Sequence, residues 1–184
     1  MPVTSPAPAK TTWAIDPAHS HVEFGVRHLM ISTVKGRFAD VQGTVVGSDD
    51  SFRDAVVDIT IGVASIDTRQ ADRDTHLRSA DFFEVEKFPA MTFKSTRVEP
   101  KGDDEFRVAG QLTIRGITKE VSLDVTSEGR GKDPWGGERA GFSATAKINR
   151  RDFGLTWNQV LEAGGFAVGD EIKISIDVEL VKGK

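Results

Sequence analysis

The chain has 184 residues and a formal net charge of -4, so it is long enough for one domain with a sizeable core and lacks the basic excess of a nucleic-acid-binding surface. It has no cysteine, which excludes disulfides, thiol chemistry and thiolate metal sites. No window approaches the roughly 20 consecutive apolar residues that span a bilayer, so no integral membrane segment is expected.

Residues 1–11, "MPVTSPAPAKT", have neither a charged n-region nor an apolar h-region. They read as a disordered Pro/Ala/Thr tail ahead of a folded domain over 12–184, and the absence of a leader pattern points to a cytoplasmic protein. Trp13 to Asp16 form a strand fragment or lead-in. Beyond it, period-two alternation dominates, the mark of strands with one buried face. "SHVEFGVRH" sets Val22, Phe24, Val26 and His28 on one face against His21, Glu23 and Arg27 on the other. "VKGRFADVQGTVV" changes its apolar face between Phe38 and Val41, which predicts a bulge. Val57, Ile59, Ile61 and Val63 align in the next strand.

From Arg69 to Phe88 the period of two is lost. Leu77, Ala80 and Phe83 recur every three residues, which predicts one or two short helices, capped by Asp67 or Thr68 and ended by Pro89. Alternation then resumes through Met91 and Phe93. It continues at Phe106, Val108, Leu112 and Ile114, at Ile117, Val121, Leu123 and Val125, and at Phe142, Ala144, Ala146 and Ile148. An irregular connection over 149–170 carries Phe153, Leu155, Trp157, Leu161 and Phe166, too much apolar bulk to lie in solvent. Ile172, Ile174, Ile176, Val178 and Leu180 complete the series. Turn chemistry separates the segments at "GSDDS", "PKGDDE", Arg115-Gly116 and "GRGKDPWGGE". Short links and one-sided alternation make an all-β, antiparallel fold of about eight strands. Periodicity leaves a closed up-and-down barrel and a two-layer sandwich both open.

The candidate chemistry is sparse. "RDTHLRSADFF" brings Asp74, His76, Ser79 and Asp81 together, but no Gly-x-Ser-x-Gly elbow occurs, and opposite charges at helical spacing fit a solvated helix. His19, His21 and Glu23 sit on the face opposite the apolar one and diverge along a strand, so no metal and no cofactor is expected. Gly110, Ala144 and Ala146 are small inward residues that leave room either for a ligand or for large neighbours such as Phe24 and Phe142. His28 ends the inward face and falls at the rim of the interior.

Three motifs together carry a resemblance. "SIDTRQADRDTHLRSADFFEVEKFPAMTFKS" (65–95), "GQLTIRGITKEVSLDV" (110–125) and "INRRDFGL" (148–155), with "VEFGVRHLMISTVKGRF" (22–38), resemble the YceI-like family of polyisoprenoid-binding proteins. The resemblance runs from about Trp13 to Val181. It implies a lipocalin-like, eight-stranded antiparallel up-and-down barrel with a short helical insertion at about 69–88. It also implies an elongated apolar tunnel for an isoprenoid or other long-chain amphiphilic lipid, of polyprenyl phosphate or isoprenoid quinone type, and a homodimer. Many relatives carry a signal peptide and are periplasmic, from which this sequence departs. The family brings no catalytic motif, so a binding protein rather than an enzyme is expected. The tunnel is then expected to use Phe24, Val26, Phe38, Ile59, Ile61, Phe93, Leu112, Ile114, Leu123, Phe142, Ala144, Ile148, Phe153, Ile174 and Ile176, with His28, Trp157 and Asn158 as candidates for the polar head. The alternatives are an enzyme with His76 or His28 as acid/base, and a structural barrel with a filled core.

Overall fold

Apolar/polar alternation lays the chain out as β1 (Thr11–Ile15), β2 (His21–His28), β3 (Ser32–Phe38), β4 (Val41–Gly47), β5 (Val56–Gly62), β6 (Ile66–Asp67), β7 (Ala90–Pro100), β8 (Glu105–Ile114), β9 (Ile117–Lys132), β10 (Glu138–Asn149) and β11 (Val168–Lys182). One α-helix, α1 (Ala71–Arg78), lies between β6 and β7. The structure is a computed structural model and describes residues 5–6, 9–48 and 51–184. Most of the expected N-terminal tail, residues 1–4 and 7–8, lies outside the described residues, and Thr11, at its expected end, already belongs to β1.

Every strand pair is antiparallel, and the sheet closes on itself. The ring runs β1-β4-β5-β7-β8-β9-β10-β11, and β11 returns to β1. Two of its eight staves are broken in sequence. β1 and β2 are separated by a 3-10 turn at Pro17–His19, yet both pair with β11: Ile172–Asp177 with β2, Leu180–Lys182 with β1. β3 and β4 likewise form one stave interrupted at Ala39 and Asp40, where the expected change of apolar face falls, so Phe38 and Val41 are both buried. Each stave lies beside its chain neighbours, which makes an up-and-down barrel, and closure leaves no long free edge.

The meander gives the barrel two distinct ends. The upper end carries the β2–β3 tip, the 63–89 insertion, the Arg115-Gly116 turn and the 150–167 connection; the lower end carries residues 51–55 ahead of β5 and the loops at 101–104 and 133–137. Arg115 and Gly116 have φ of 50° and 73°, the left-handed pair that a two-residue hairpin needs to match strand twist.

The insertion differs in detail from expectation. Only Ala71–Arg78 is helical; residues 79–88 form successive turns. Gln70, not Asp67 or Thr68, caps α1, its Oε1 accepting from Arg73 N at 2.8 Å. Asp67 Oδ1 is engaged by Arg69 N, and Thr68 donates both N–H and hydroxyl to Asp74. Asp74 is buried, and Arg73 and Arg78 donate to the carbonyls of Thr68, Ala64 and Ile66. Arg73, Asp74 and Arg78 therefore fasten the helix to the segment that leads into it, while Asp72 is exposed.

Arg139 secures the joint between β1, β10 and β11. Its guanidinium donates to Asp16 at 2.7 Å, Glu179 at 2.8 Å and Asp133 at 3.0 Å. The bonds from His19 and then Arg139 pull the Asp16 carboxyl from its usual 3.8 down to about 2. A carboxyl depressed on folding stabilises above its unfolded pKa, and that contribution fades as pH falls towards the folded value. Asp16→Asn is therefore expected to lower the thermal midpoint at neutral pH. The deficit relative to wild type should shrink between pH 3.8 and 2 in a melting series; a deficit that stays constant over that interval contradicts this reading.

Candidate ligand-binding site

The inward strand residues form the wall of a void. A cavity of about 170 Å³ occupies the upper half of the barrel, and a second of about 90 Å³ the lower half. Ile59, Leu123, Ile176 and Val178 border both, so the two cavities adjoin end to end along the axis. Ile172, Ile174, Ile176 and Val178 retain accessible surface although they point inward, whereas Leu180, at the lower end of the same strand, is 1% exposed. An engineered apolar cavity of about 150 Å³ stays dry and admits small apolar solutes, so a core filled throughout does not describe this interior.

Of the residues expected in the tunnel, Phe24, Val26, Phe38, Ile59, Ile61, Phe93, Leu112, Ile114, Leu123, Ile148, Ile174 and Ile176 line the upper cavity. Phe142 and Ala144 line the lower one. Phe153 borders neither; it is 1% exposed within the packed core. Two glycines keep the lumen open. A Cβ at Gly36 would collide with the Phe24 ring, and one at Gly110 with the Phe93 ring, so both rings lie back against the wall instead of crossing the axis. Gly110 thus makes room for a neighbour, while Ala144 opens onto the void.

The upper end is covered by two segments. Leu77, Phe82 and Phe83 of the insertion and Leu155 of the 150–167 connection all face the upper cavity. Arg150, absent from the sequence candidates, is among the described residues the one charged side chain in the upper cavity wall and is 2% exposed. Its guanidinium donates to the carbonyls of Leu155 (2.6 Å), Gly169 (2.8 Å), Trp157 (2.9 Å) and Val168 (3.3 Å). Burial lowers its pKa, with Asp170 opposing. A planar, multi-donor cation is what a loop with four converging carbonyls requires. The signal in sequence was an arginine beginning an irregular segment otherwise rich in apolar residues. Arg115 links the two covers: it donates to Gly154 O at 2.8 Å and Ala80 O at 3.1 Å, with Glu84 at 3.4 Å.

The three polar-head candidates fall elsewhere. His28 is exposed and lines neither cavity, because β2 beyond Val26 overhangs the barrel as the tip of a hairpin whose pairing with β11 is interrupted between Val168 and Ile172. Asn158 spends its amide on the backbone of Val168, donating to its carbonyl at 2.7 Å and accepting from its N–H at 3.0 Å. Trp157 stacks edge-on against His76, with centroids 4.8 Å apart, and on Phe82 at 5.3 Å, which joins the two covers. No catalytic arrangement forms around His76. Its Nε2 meets Asp81 Oδ2 at 2.8 Å, but Ser79 Oγ donates to the His76 backbone carbonyl rather than to the ring. The side chain is 39% exposed and does not reach the cavity.

The histidines near β2 also separate: His19 pairs with Asp16 and His21 with Asp177. Asp16, His19 and Glu179 bring ligating atoms within 4.8 Å of one another, but Arg139 donates to both carboxylates and supplies the positive charge there. Among the described residues no helix is long and apolar enough to cross a membrane.

Comparison with known proteins places this geometry. A family model described as a YceI-like domain matches residues 13–180. Protein YceI of Salmonella newport is 42% identical over 166 residues, 90% of this chain and 83% of that protein. The YceI protein of Campylobacter jejuni superposes with a TM-score of 0.72 at 35% identity, covering 86% of this chain and 90% of that one. BcnA of Burkholderia cenocepacia shares the fold at a TM-score of 0.77 and 24% identity, over 90% of this chain and 98% of that one. So does a polyisoprenoid binding domain from Saccharophagus degradans, at 0.65 and 14% identity, over 93% and 98%.

Three outcomes follow for the covers. Arg150→Lys, with three donors on one nitrogen in place of a planar fork, leaves at least one of the four carbonyls without a donor and is expected to cost about 1–3 kcal/mol in denaturant unfolding; an unchanged midpoint would contradict the stapling role. Leu77→Ala, at a half-buried site, is expected to cost about 1–2 kcal/mol. His76→Ala should leave the affinity for apolar probes within about twofold, since the ring is not part of the cavity wall; a large loss of binding would return His76 to the site.

Proposed function

The chain belongs to the YceI-like family, and from that premise we propose that its barrel binds a long-chain isoprenoid lipid, of polyprenyl phosphate or isoprenoid quinone type, for carriage or storage rather than catalysis. The observation that carries the reading is the apolar interior itself, whose two cavities share Ile59, Leu123, Ile176 and Val178 and whose wall, among the described residues, holds a single charged side chain. Each CH₂ moved from water into such a lining gains about 0.8 kcal/mol, so a long unbranched or prenyl tail gains enough to offset its own ordering. The polyisoprenoid binding domain from Saccharophagus degradans, with the same barrel, supports the ligand class. In this reading the polar end of the lipid lies at the upper end, at the seam between the two covers, and the tail runs down towards Phe142.

The test is direct. Organic extracts of the purified protein are expected to contain prenyl lipid by mass spectrometry, and delipidated protein to rebind a prenyl alcohol. Ile176→Phe, at the junction of the two cavities, should reduce bound lipid about tenfold or more while the circular dichroism spectrum is kept. Absence of extractable lipid together with no rebinding by the wild type removes the proposal.

A further inference from the structure

The lower end of the tunnel is closed by a partition of rings. Phe52, Phe106 and Phe142 border the lower cavity on its inner side, and the same three residues border a separate pocket of about 250 Å³ on the outer side. The chemistry changes sharply across them. Inside, the wall is Ile15, Val45, Val57, Val125 and Leu180; outside it is Ser51, Arg53, Asp103, Asp104, Ser127 and Arg130. A hydrocarbon end that passed this partition would leave an apolar wall for hydrated charges and gain nothing further from burial.

The three rings are not equivalent. Phe106 and Phe142 stand on β8 and β10 and are fixed by the ladder, whereas Phe52 comes from the loop between β4 and β5. Its backbone has φ of 60°, a left-handed conformation that a bulky side chain adopts only when its surroundings impose it. Here the ring imposes it. Phe52 is 7% exposed and packs on Trp13 at 5.3 Å between centroids and edge-on against Phe142 at 4.9 Å. Asp54 holds the loop shut by accepting from Ser48 N at 3.0 Å and 3.2 Å. One aromatic side chain, on an otherwise polar loop, is turned inward across the end of the tunnel.

We propose that Phe52 is the chain-length stop of this barrel: the terminal isoprene unit of the bound tail rests against its ring, and the depth of the tunnel down to that ring sets the longest tail that is fully buried. The inference rests on the lipid-binding reading above and adds which residue measures the ligand. In the wild type, affinity rises with each added prenyl unit until the tail reaches the ring, and then levels off.

The experiment measures dissociation constants for a ladder of prenyl alcohols, from geraniol through farnesol and geranylgeraniol to longer polyprenols, with delipidated wild type, Phe52→Ala and Phe52→Trp. Phe52→Ala lengthens the tunnel, so the levelling-off point should move to a longer alcohol, with about a tenfold gain for the first member beyond the wild-type limit. Phe52→Trp fills the end, so the limit should move to a shorter one. Should the alanine variant fail to fold, the tryptophan variant and Phe52→Leu carry the comparison. Equal weakening for every chain length, with the limit unmoved in the folded variants, overturns the stop while leaving lipid binding intact. If the wild type binds no member of the ladder, the lipid-binding reading itself falls, and the stop with it.

Discussion

Ring closure by β11 is the constraint on which the rest of the molecule depends. This one strand supplies hydrogen-bond partners to β10 along one side and to both β1 and β2 along the other. The break at Pro17–His19 therefore interrupts the chain without opening the barrel. With the ring shut, every inward residue of eight staves faces the same axis. Eight strands give an interior on the boundary between one that side chains fill and one that holds a small ligand. Which outcome results is decided locally. Glycines at 36 and 110 let Phe24 and Phe93 lie flat to the wall, and alanine at 144 contributes little volume.

The two ends solve different problems. The upper end is sealed by chain segments that belong to no strand, and such segments need partners for their backbone groups where water is excluded. Arg150 and Asn158 provide them for the 150–167 connection, and Arg73, Asp74 and Arg78 do so around α1. Arg115 and the Trp157–Phe82 contact then bind one cover to the other. The lower end is sealed by side chains, with Phe52, Phe106 and Phe142 across the opening and Phe52 packed on both Trp13 and Phe142. Polar staples at one end and aromatic rings at the other give the tunnel a chemical direction, which a barrel symmetric end to end would lack.

Most of the strand pattern was legible because a half-buried strand writes its orientation into every second residue. Ile172 through Leu180, and Phe142, Ala144 and Ile148, are inward as their alternation requires, and the break between Phe38 and Val41 appeared as a shift of phase. The closed ring was not legible, since a sandwich writes the same alternation; the family resemblance supplied it. Side-chain destinations that depend on loops were also hidden. Asn158 read as a candidate for a ligand and is consumed by the backbone of Val168, and His28 kept the inward phase but lies past the end of the wall. Arg150 read as an ordinary charge, although its carbonyl partners come from as far along as Gly169. Trp13 read as a lead-in and is among the most buried residues, because its neighbours across the closure come from the far end of the chain. Phe52 was masked by the turn chemistry of "GSDDSF" around it.

The void has a mechanical consequence apart from what it binds. Unfolding abolishes internal empty volume, and the system volume drops in proportion to it, so hydrostatic pressure acts on a hollow barrel more strongly than on a solid one of the same size. An occupant that fills the tunnel removes that volume from the balance. The pressure sensitivity of the fold therefore depends on whether the tunnel is filled: the empty barrel is the state that pressure unfolds more readily, although no backbone element need move between the two.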